Sequence, residues 1–529
     1  MRKSHPASSL TWHSASLLVS MLPALVVGML SLKRSVLMMG SDQDLMWASE
    51  AMRLLRGVGP SYADHPGAFW AITYALTIKA LTALTPLSIV EAGELTNEGL
   101  KTLISTVRIE SSLIAGLAGY MCSQILIYLR AKRYIAISTN FLIAGSNPIL
   151  FSASSIRHEV ISMVLLLSAC LALQGLFASN TSLERAAKGI GSVLLIFLAA
   201  FSKQQSLIVL PFLGWIALAT NHMNQPSATK QWLDSLRNFN GKRWGTLLAS
   251  CTIIWLISAA PDIDLINLPF WVAINLFLFS IISAALIPQK TRASLIKAVL
   301  TLAFLEIVIT RVASANWWRQ AVTGFPSWLL MFKNNSQGIA ANKPLPLEGL
   351  DQYFGSLFSY PDLTARVFCI IALLASCITI CQCRRNATTD QGQIEHLFSE
   401  PGWMITAIIT GICLARINPP YAIYFLPCIA ICSCISLNHF SSSDKGITAL
   451  TRKAMATMSG FLLIMGLTHS AQNLNKLDQI SQTGLPESSI CMGHNMDISM
   501  GLTAVGNCPD FEKQAYQKRV FDSWWTGPR

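Results

Sequence analysis

The chain has 529 residues, of which 52% are hydrophobic and only 12% charged, and it carries a formal net charge of +12. Its mean hydropathy is +0.47. Soluble domains carry about 25% charged residues, so the composition excludes a soluble globular protein. It points to an all-α integral membrane protein, because lipid leaves no partner for open backbone groups and apolar runs of this length must cross it as helices. The positive charge does not indicate nucleic acid, since Lys and Arg fall in short clusters between apolar runs, as the positive-inside rule expects.

In chain order, runs long enough to span lie near 16–32, 109–129, 134–151, 160–177, 189–201, 206–219, 245–260, 269–287 and 295–309. Four more lie near 363–380, 403–415, 421–437 and 454–467, which makes thirteen expected transmembrane helices. The N-terminal Arg2 and Lys3 followed by an apolar run resemble a signal sequence, but no small-residue cleavage site follows, so a retained anchor is expected. The basic clusters at Arg130–Arg133, Arg185–Lys188, Lys230–Arg243, Lys290–Lys297, Arg384–Arg385 and Lys445–Lys453 set the orientation. With thirteen spans and a cytoplasmic N-terminus all of them face the cytoplasm. A further run at 67–90 would reverse that parity if it crossed, so it is expected to be re-entrant or to lie along the outer leaflet. Lys33 and Arg34, at the outer end of the first span, go against the rule.

This frame divides the chain into a transmembrane body (1–470) and a small extracytoplasmic tail (471–529), within a multi-pass protein of the plasma or inner membrane. Two long outer loops are expected at 33–108 and 311–362. The isolated polar residues then converge on the outer face. The stretch 41–70 carries Asp42, Asp44, Asp64 and His65 beside the first span. Arg157-His158-Glu159 lies between the third and fourth spans, Lys203 interrupts an apolar stretch, Arg319 follows Trp317-Trp318, and Arg416 precedes Tyr421 and Tyr424. Lys203 also fits a helix-end lysine reaching for headgroups, and Arg157–Glu159 fits a plain helix start.

Together, carboxylates and cations on one membrane face suit a lipid-linked phosphate substrate. Cations hold the phosphate leaving group while a carboxylate takes the acceptor's proton. A divalent metal between Asp42 and Glu159 is compatible with that chemistry but not required by it. No P-loop, HExxH, nucleophile elbow or dinucleotide fingerprint is present. Of thirteen cysteines, those within apolar runs read as small hydrophobes. Cys491 and Cys508 stand alone in the tail and are expected to pair as a disulfide.

Several of these motifs resemble the GT-C glycosyltransferases, the superfamily of protein O-mannosyltransferases and lipid A aminoarabinose transferases. Asp42-Gln43, Ala51, Leu54-Leu55, Gly57 and Asp64-His65-Pro66-Gly67 are similar to that superfamily's first outer loop. Leu198 to Lys203 with Pro211, Arg157-x-Glu159, and Arg416 with Tyr421, Tyr424 and Pro427 are similar to later motifs. The resemblance covers about the first 220 residues and this late segment. Gln43 stands where a glutamate is usual, and one proline stands where two are common. The resemblance implies inverting transfer from a polyprenyl-phosphate-linked sugar at the extracytoplasmic face. Asp42 is then the expected general base, with Asp44 as the alternative. Glu159 would assist it or help hold a metal, and His158 would orient the acceptor. Lys203, Arg157, Arg416 and Arg319 would serve the lipid phosphate, and Tyr421, Tyr424, Asp64 and His65 would line the substrate. The expected partners are the donor, membrane lipids and an acceptor the sequence does not identify. A transporter or flippase of lipid-linked sugars, or a polymerase or ligase of surface polysaccharide, are the alternatives.

Overall fold

A computed structural model describes residues 6–32, 51, 55, 68–84, 97–155, 157–179, 181–203, 206, 209–224, 402–407, 409, 422–441 and 445–482. Among the described residues every regular element is a helix. In order these are α1 (Pro6–Ser31), α2 (Ala68–Leu84), α3 (Asn97–Tyr128), α4 (Arg133–Ala144) and α5 (Asn147–Ala153). They continue with α6 (His158–Ala178), α7 (Ser182–Ser202), α8 (Leu210–Asn224), α9 (Ala422–Ser441) and α10 (Lys445–Gln482). Four segments among the described residues are long and apolar enough to cross a membrane: Thr11–Ser31, Ser105–Tyr128, His158–Leu176 and Arg452–Gln472. The expected spans at 245–260, 269–287, 295–309 and 363–380 lie outside the described residues, as does most of that at 403–415. The chain forms two compact units, one of residues 1–62, 67–164 and 346–529, the other of 63–66 and 165–345.

In the first unit α1 and α3 are antiparallel. Their contacts run in register from Arg108 Nη1 donating to the Ser31 carbonyl (3.1 Å), through the Ser20 hydroxyl on Gly116, to Ser16 Oγ against Ser123 Oγ at 2.8 Å. Hydroxyls and small residues make this seam because apolar burial drives nothing between helices already in lipid; close backbone approach and interhelical hydrogen bonds take its place. Gly28 is pressed on the Ser112 side chain, so a Cβ there has no room. At Gly119 a Cβ would stand 2.6 Å from Asn140 Oδ1 and 2.7 Å from Ser20 Oγ, so this glycine is where α1, α3 and α4 close on each other. Asn140 donates from Nδ2 to the Ser16 carbonyl at 2.6 Å, tying α4 into the same seam. The first helix is thus packed into the bundle by α3 and α4.

α3 ends in a Schellman-type stop. Ala131 N–H reaches back to the Leu126 carbonyl (2.9 Å) and Arg130 N–H to that of Ile127 (3.0 Å). Arg130 holds the left-handed position at φ 57°, where glycine is usual. The next run, expected as one span at 134–151, is two helices. Pro148 lacks an N–H and its ring crowds the carbonyl four residues back, at Ala144, so α4 stops there and α5 starts afresh. The break is closed by α10: Gly145 lies against the Leu463 backbone, and Gly466 rests on the Gly145 carbonyl.

α9 returns antiparallel to α4. Asn438 Oδ1 accepts the Lys132 N–H at 3.0 Å, and Cys434 Sγ lies 2.7 Å from Thr139 Oγ1. α10 has 38 residues, about 57 Å at 1.5 Å per residue, well beyond a hydrocarbon core of about 30 Å. Among its described side chains Met455, Ser459, Gly466, Ser470 and Leu474 are buried, spaced to form one stripe over the middle of the helix. The free cysteines described, Cys122, Cys170, Cys428, Cys432 and Cys434, are all buried; Cys491 and Cys508 lie outside the described residues.

In the second unit, Thr181 caps α7 by accepting the Glu184 N–H at 3.2 Å. Glu184 pairs with Lys188 one turn on, at 2.6 Å. Lys188 Nζ also donates to the Gly175 carbonyl and Ser179 Oγ, so this lysine closes the α6–α7 hairpin. Gln174 Nε2 donates to Thr220 Oγ1 at 2.9 Å, joining α6 to α8.

Candidate functional site

The helical turn Arg108–Ser112 at the start of α3's apolar segment gathers three other pieces of chain. Arg108, only 1% exposed, donates to Ser31, the last residue of α1. The closing carbonyls of a helix have no partner within it, and a cation is favoured there by the helix dipole. One residue before the end of this turn, Ser111 Oγ meets Tyr74 Oη of α2 at 3.2 Å. Beside it the Thr77 hydroxyl of α2 hydrogen-bonds the Glu110 carboxylate. The Ser112 hydroxyl lies 2.8 Å from the Arg108 carbonyl and 2.6 Å from that of Ala153, the last residue of α5. α1 and α2 flank the stretch that carries Asp42, Asp44, Asp64 and His65, and Ala153 stands four residues ahead of Arg157. One turn of α3 therefore fixes both borders of the first loop and the approach to Arg157-His158-Glu159.

The link from α5 to α6 is short and internally bonded. Ser154 Oγ and Ser155 Oγ both donate to the Phe151 carbonyl, at 2.8 and 3.1 Å. The Arg157 guanidinium lies over the Phe151 ring, 4.9 Å from its centroid, with its Nε buried and without an acceptor among the described residues. α6 starts at His158, with Glu159 in its first turn, where an acidic residue meets the positive end of the helix dipole. His158 and Glu159 are both buried. The Ser162 hydroxyl donates to the Glu159 carbonyl (2.8 Å) and also pairs with Tyr424 Oη at 2.9 Å. This brings the start of α9 onto the first turn of α6. Tyr424 is fully buried, so in this state its hydroxyl holds that turn.

Of the residues expected from sequence, the structure brings together Arg157, His158, Glu159 and Tyr424. Lys203 belongs to the second unit. It ends α7 with extended φ −159° and ψ 111°, its N–H on the Ala199 carbonyl, and is 5% exposed. Its side chain is therefore packed within the chain, where a snorkelling lysine would be exposed. Asp42, Asp44, Asp64, His65, Arg319, Arg416 and Tyr421 lie outside the described residues. Among the described residues no three His, Cys, Asp or Glu side chains stand close enough to share a metal ion.

Sequence reasoning passed over Arg108, Glu110, Tyr74 and Trp70. Trp70 and Tyr74 are fully buried and packed ring on ring at 4.3 Å, and the Trp70 indole N–H has no acceptor among the described residues. The signal was available as two charges, Arg108 and Glu110, at the lip of an apolar segment, where ionisable residues are costly and are kept for a purpose. No protein family matches the chain, and no curated protein is significantly similar to it.

Proposed function

We propose that the chain is a GT-C-like integral membrane glycosyltransferase that moves a sugar from a polyprenyl-phosphate donor to an acceptor at the extracytoplasmic face. The observation that carries this reading is the Arg108–Ser112 turn, to which both borders of the carboxylate-rich first loop and the approach to Glu159 are bonded. Residues far apart in sequence are tethered at one end of one bundle, as a site shared between them requires. The antiparallel register of α1 and α3 returns the chain to the end it left at Ser31. That is the parity needed for the run at 67–90 not to cross, as the proposed topology of thirteen spans with the N-terminus inside requires. Arg133, stacked over Trp12 at 5.7 Å, keeps a basic cluster at the opposite end of the bundle, beside the start of α1.

In this reading the Asp42 carboxylate accepts the proton of the acceptor hydroxyl or amine as that atom attacks the anomeric carbon. The anomeric carbon–oxygen bond breaks with inversion, and polyprenyl monophosphate leaves with both electrons. Lys203, Arg416 and Arg319 hold the phosphate as its charge grows. Glu159 and His158 orient the acceptor or assist the base.

Every such donor leaves the same product, so the test needs no knowledge of the sugar. The full chain in nanodiscs should bind undecaprenyl monophosphate and not the corresponding alcohol; equal binding of both would refute the reading. The buried helix break at Gly145 favours a second reading, since discontinuous helices mark transporters. Gly466 and Leu463 close that break, so it lines no path. A flippase would move a fluorescent polyprenyl-phosphate sugar across a vesicle membrane without releasing polyprenyl monophosphate.

A further inference from the structure

We propose that Arg108 is a positioning residue for this site: its guanidinium locks the carboxyl end of α1, and the turn it stands on locks α2 and the end of α5, so that the two helices bordering the first loop and the approach to Arg157–Glu159 keep a fixed geometry. The inference rests on the proposed transferase reading for its consequence, but the clamp itself rests on contacts alone. A direct role in holding an anion is disfavoured, because the Ser31 carbonyl that takes Nη1 is the negative end of the α1 dipole. A cation there stabilises the helix end and repays little to a phosphate.

Three independent bonds define the clamp. Arg108 reaches Ser31, Ser111 meets Tyr74, and Ser112 donates to Ala153. Gly28, one turn before Ser31, lets α1 close on the Ser112 side chain, so α1 meets this turn through packing as well as through the guanidinium. Lysine can supply the charge but not the planar donor set that spans from α3 to the α1 terminus. Arg108→Lys should therefore restore part of what Arg108→Gln loses.

The test uses the full chain in nanodiscs with spin labels at Met29 and Leu76. Both are exposed positions, on α1 and α2. The labels enter as non-canonical amino acids because the chain has thirteen cysteines. Arg108→Gln should broaden the Met29–Leu76 distance distribution and weaken undecaprenyl monophosphate binding about tenfold, the loss of about 1.4 kcal/mol. Arg108→Lys should lie between it and the unmodified protein in both readouts. An unchanged distribution in Arg108→Gln overturns the clamp. A broadened one with unchanged affinity overturns its bearing on the site. If the unmodified protein binds no undecaprenyl monophosphate while the distribution still broadens, the transferase reading fails and the clamp stands. Should Arg108→Gln not accumulate in membranes, Tyr74→Phe removes the Tyr74–Ser111 hydroxyl contact between α2 and α3 and is read by the same two measurements, with the same outcomes deciding.

Discussion

Replacing Gly119 by alanine should destabilise the bundle, although the same exchange elsewhere should help it. Alanine in a helix interior is favoured over glycine by about 1 kcal/mol, and Gly460 of α10 shows that gain alone because nothing lies within 4 Å of a Cβ there. At Gly119 the Cβ would meet Asn140 Oδ1 at 2.6 Å, Ser20 Oγ at 2.7 Å and the Asn140 carbonyl at 2.9 Å. The two side chains can rotate away, but the third contact is backbone, so α3 and α4 must part. Inserting a group into a packed seam costs about 1–3 kcal/mol. The propensity gain is common to both variants and cancels in the comparison. Gly119→Ala should therefore be less stable than Gly460→Ala by about 1–3 kcal/mol. The assay is reversible unfolding in mixed dodecylmaltoside–SDS micelles followed by tryptophan fluorescence. Equal stability of the two variants would refute the close approach of α1, α3 and α4, and with it the register that sets the parity of the chain.

Four other outcomes follow from the sequence and the site. Asp42→Asn should abolish transfer while undecaprenyl monophosphate still binds, since a general base contributes about 10²–10⁴-fold; an active Asp42→Asn beside an inactive Asp44→Asn would move the base by two residues. Lys203→Ala and Arg416→Ala should each weaken that binding by roughly ten- to a hundredfold, the cost of one charge-assisted hydrogen bond of about 1.5–3 kcal/mol. Reporter fusions after Arg133, Lys188 and Lys453 should report cytoplasm and one after Gln472 the exterior; a cytoplasmic tail would end the one-sided site. Cys491 and Cys508 should resist maleimide until reduced, and immediate labelling of both would exclude the disulfide.

The helical class and the places of most described helices were legible because long apolar runs need little else. The start of α6 was legible too, since Arg157-His158-Glu159 fits a plain helix start after a short serine-rich link. The break at Gly145 was overlooked because Pro148 sits within an apolar run whose hydropathy hardly changes across it. Hydropathy records how much a residue favours lipid and not whether its neighbour can donate a hydrogen bond. Tyr424 was expected to line the substrate. Its neighbours in sequence, Arg416 and Tyr421, suggested a substrate surface, whereas its hydroxyl lies on Ser162.

Arg108 shows most plainly where sequence reasoning stops. In the sequence it is one more cation closing a loop, equivalent to Lys33 or Lys101. What sets it apart is that Ser31 ends its helix at the same level, and that Tyr74 and Ala153 reach the same turn. None of those three partners is itself charged, and three separate segments supply them. A charge is visible in a sequence, but the carbonyl that needs it is a property of where a helix ends. The carboxylates of the first loop drew the eye because they are exposed to reading in a single line. The groups that would hold them still are a serine carbonyl, a tyrosine hydroxyl and one buried guanidinium, and only the antiparallel pairing of α1 with α3 makes neighbours of them. A side chain added at Gly28 would push α1 off this turn, so the glycine belongs to the same arrangement as Ser111 and Ser112.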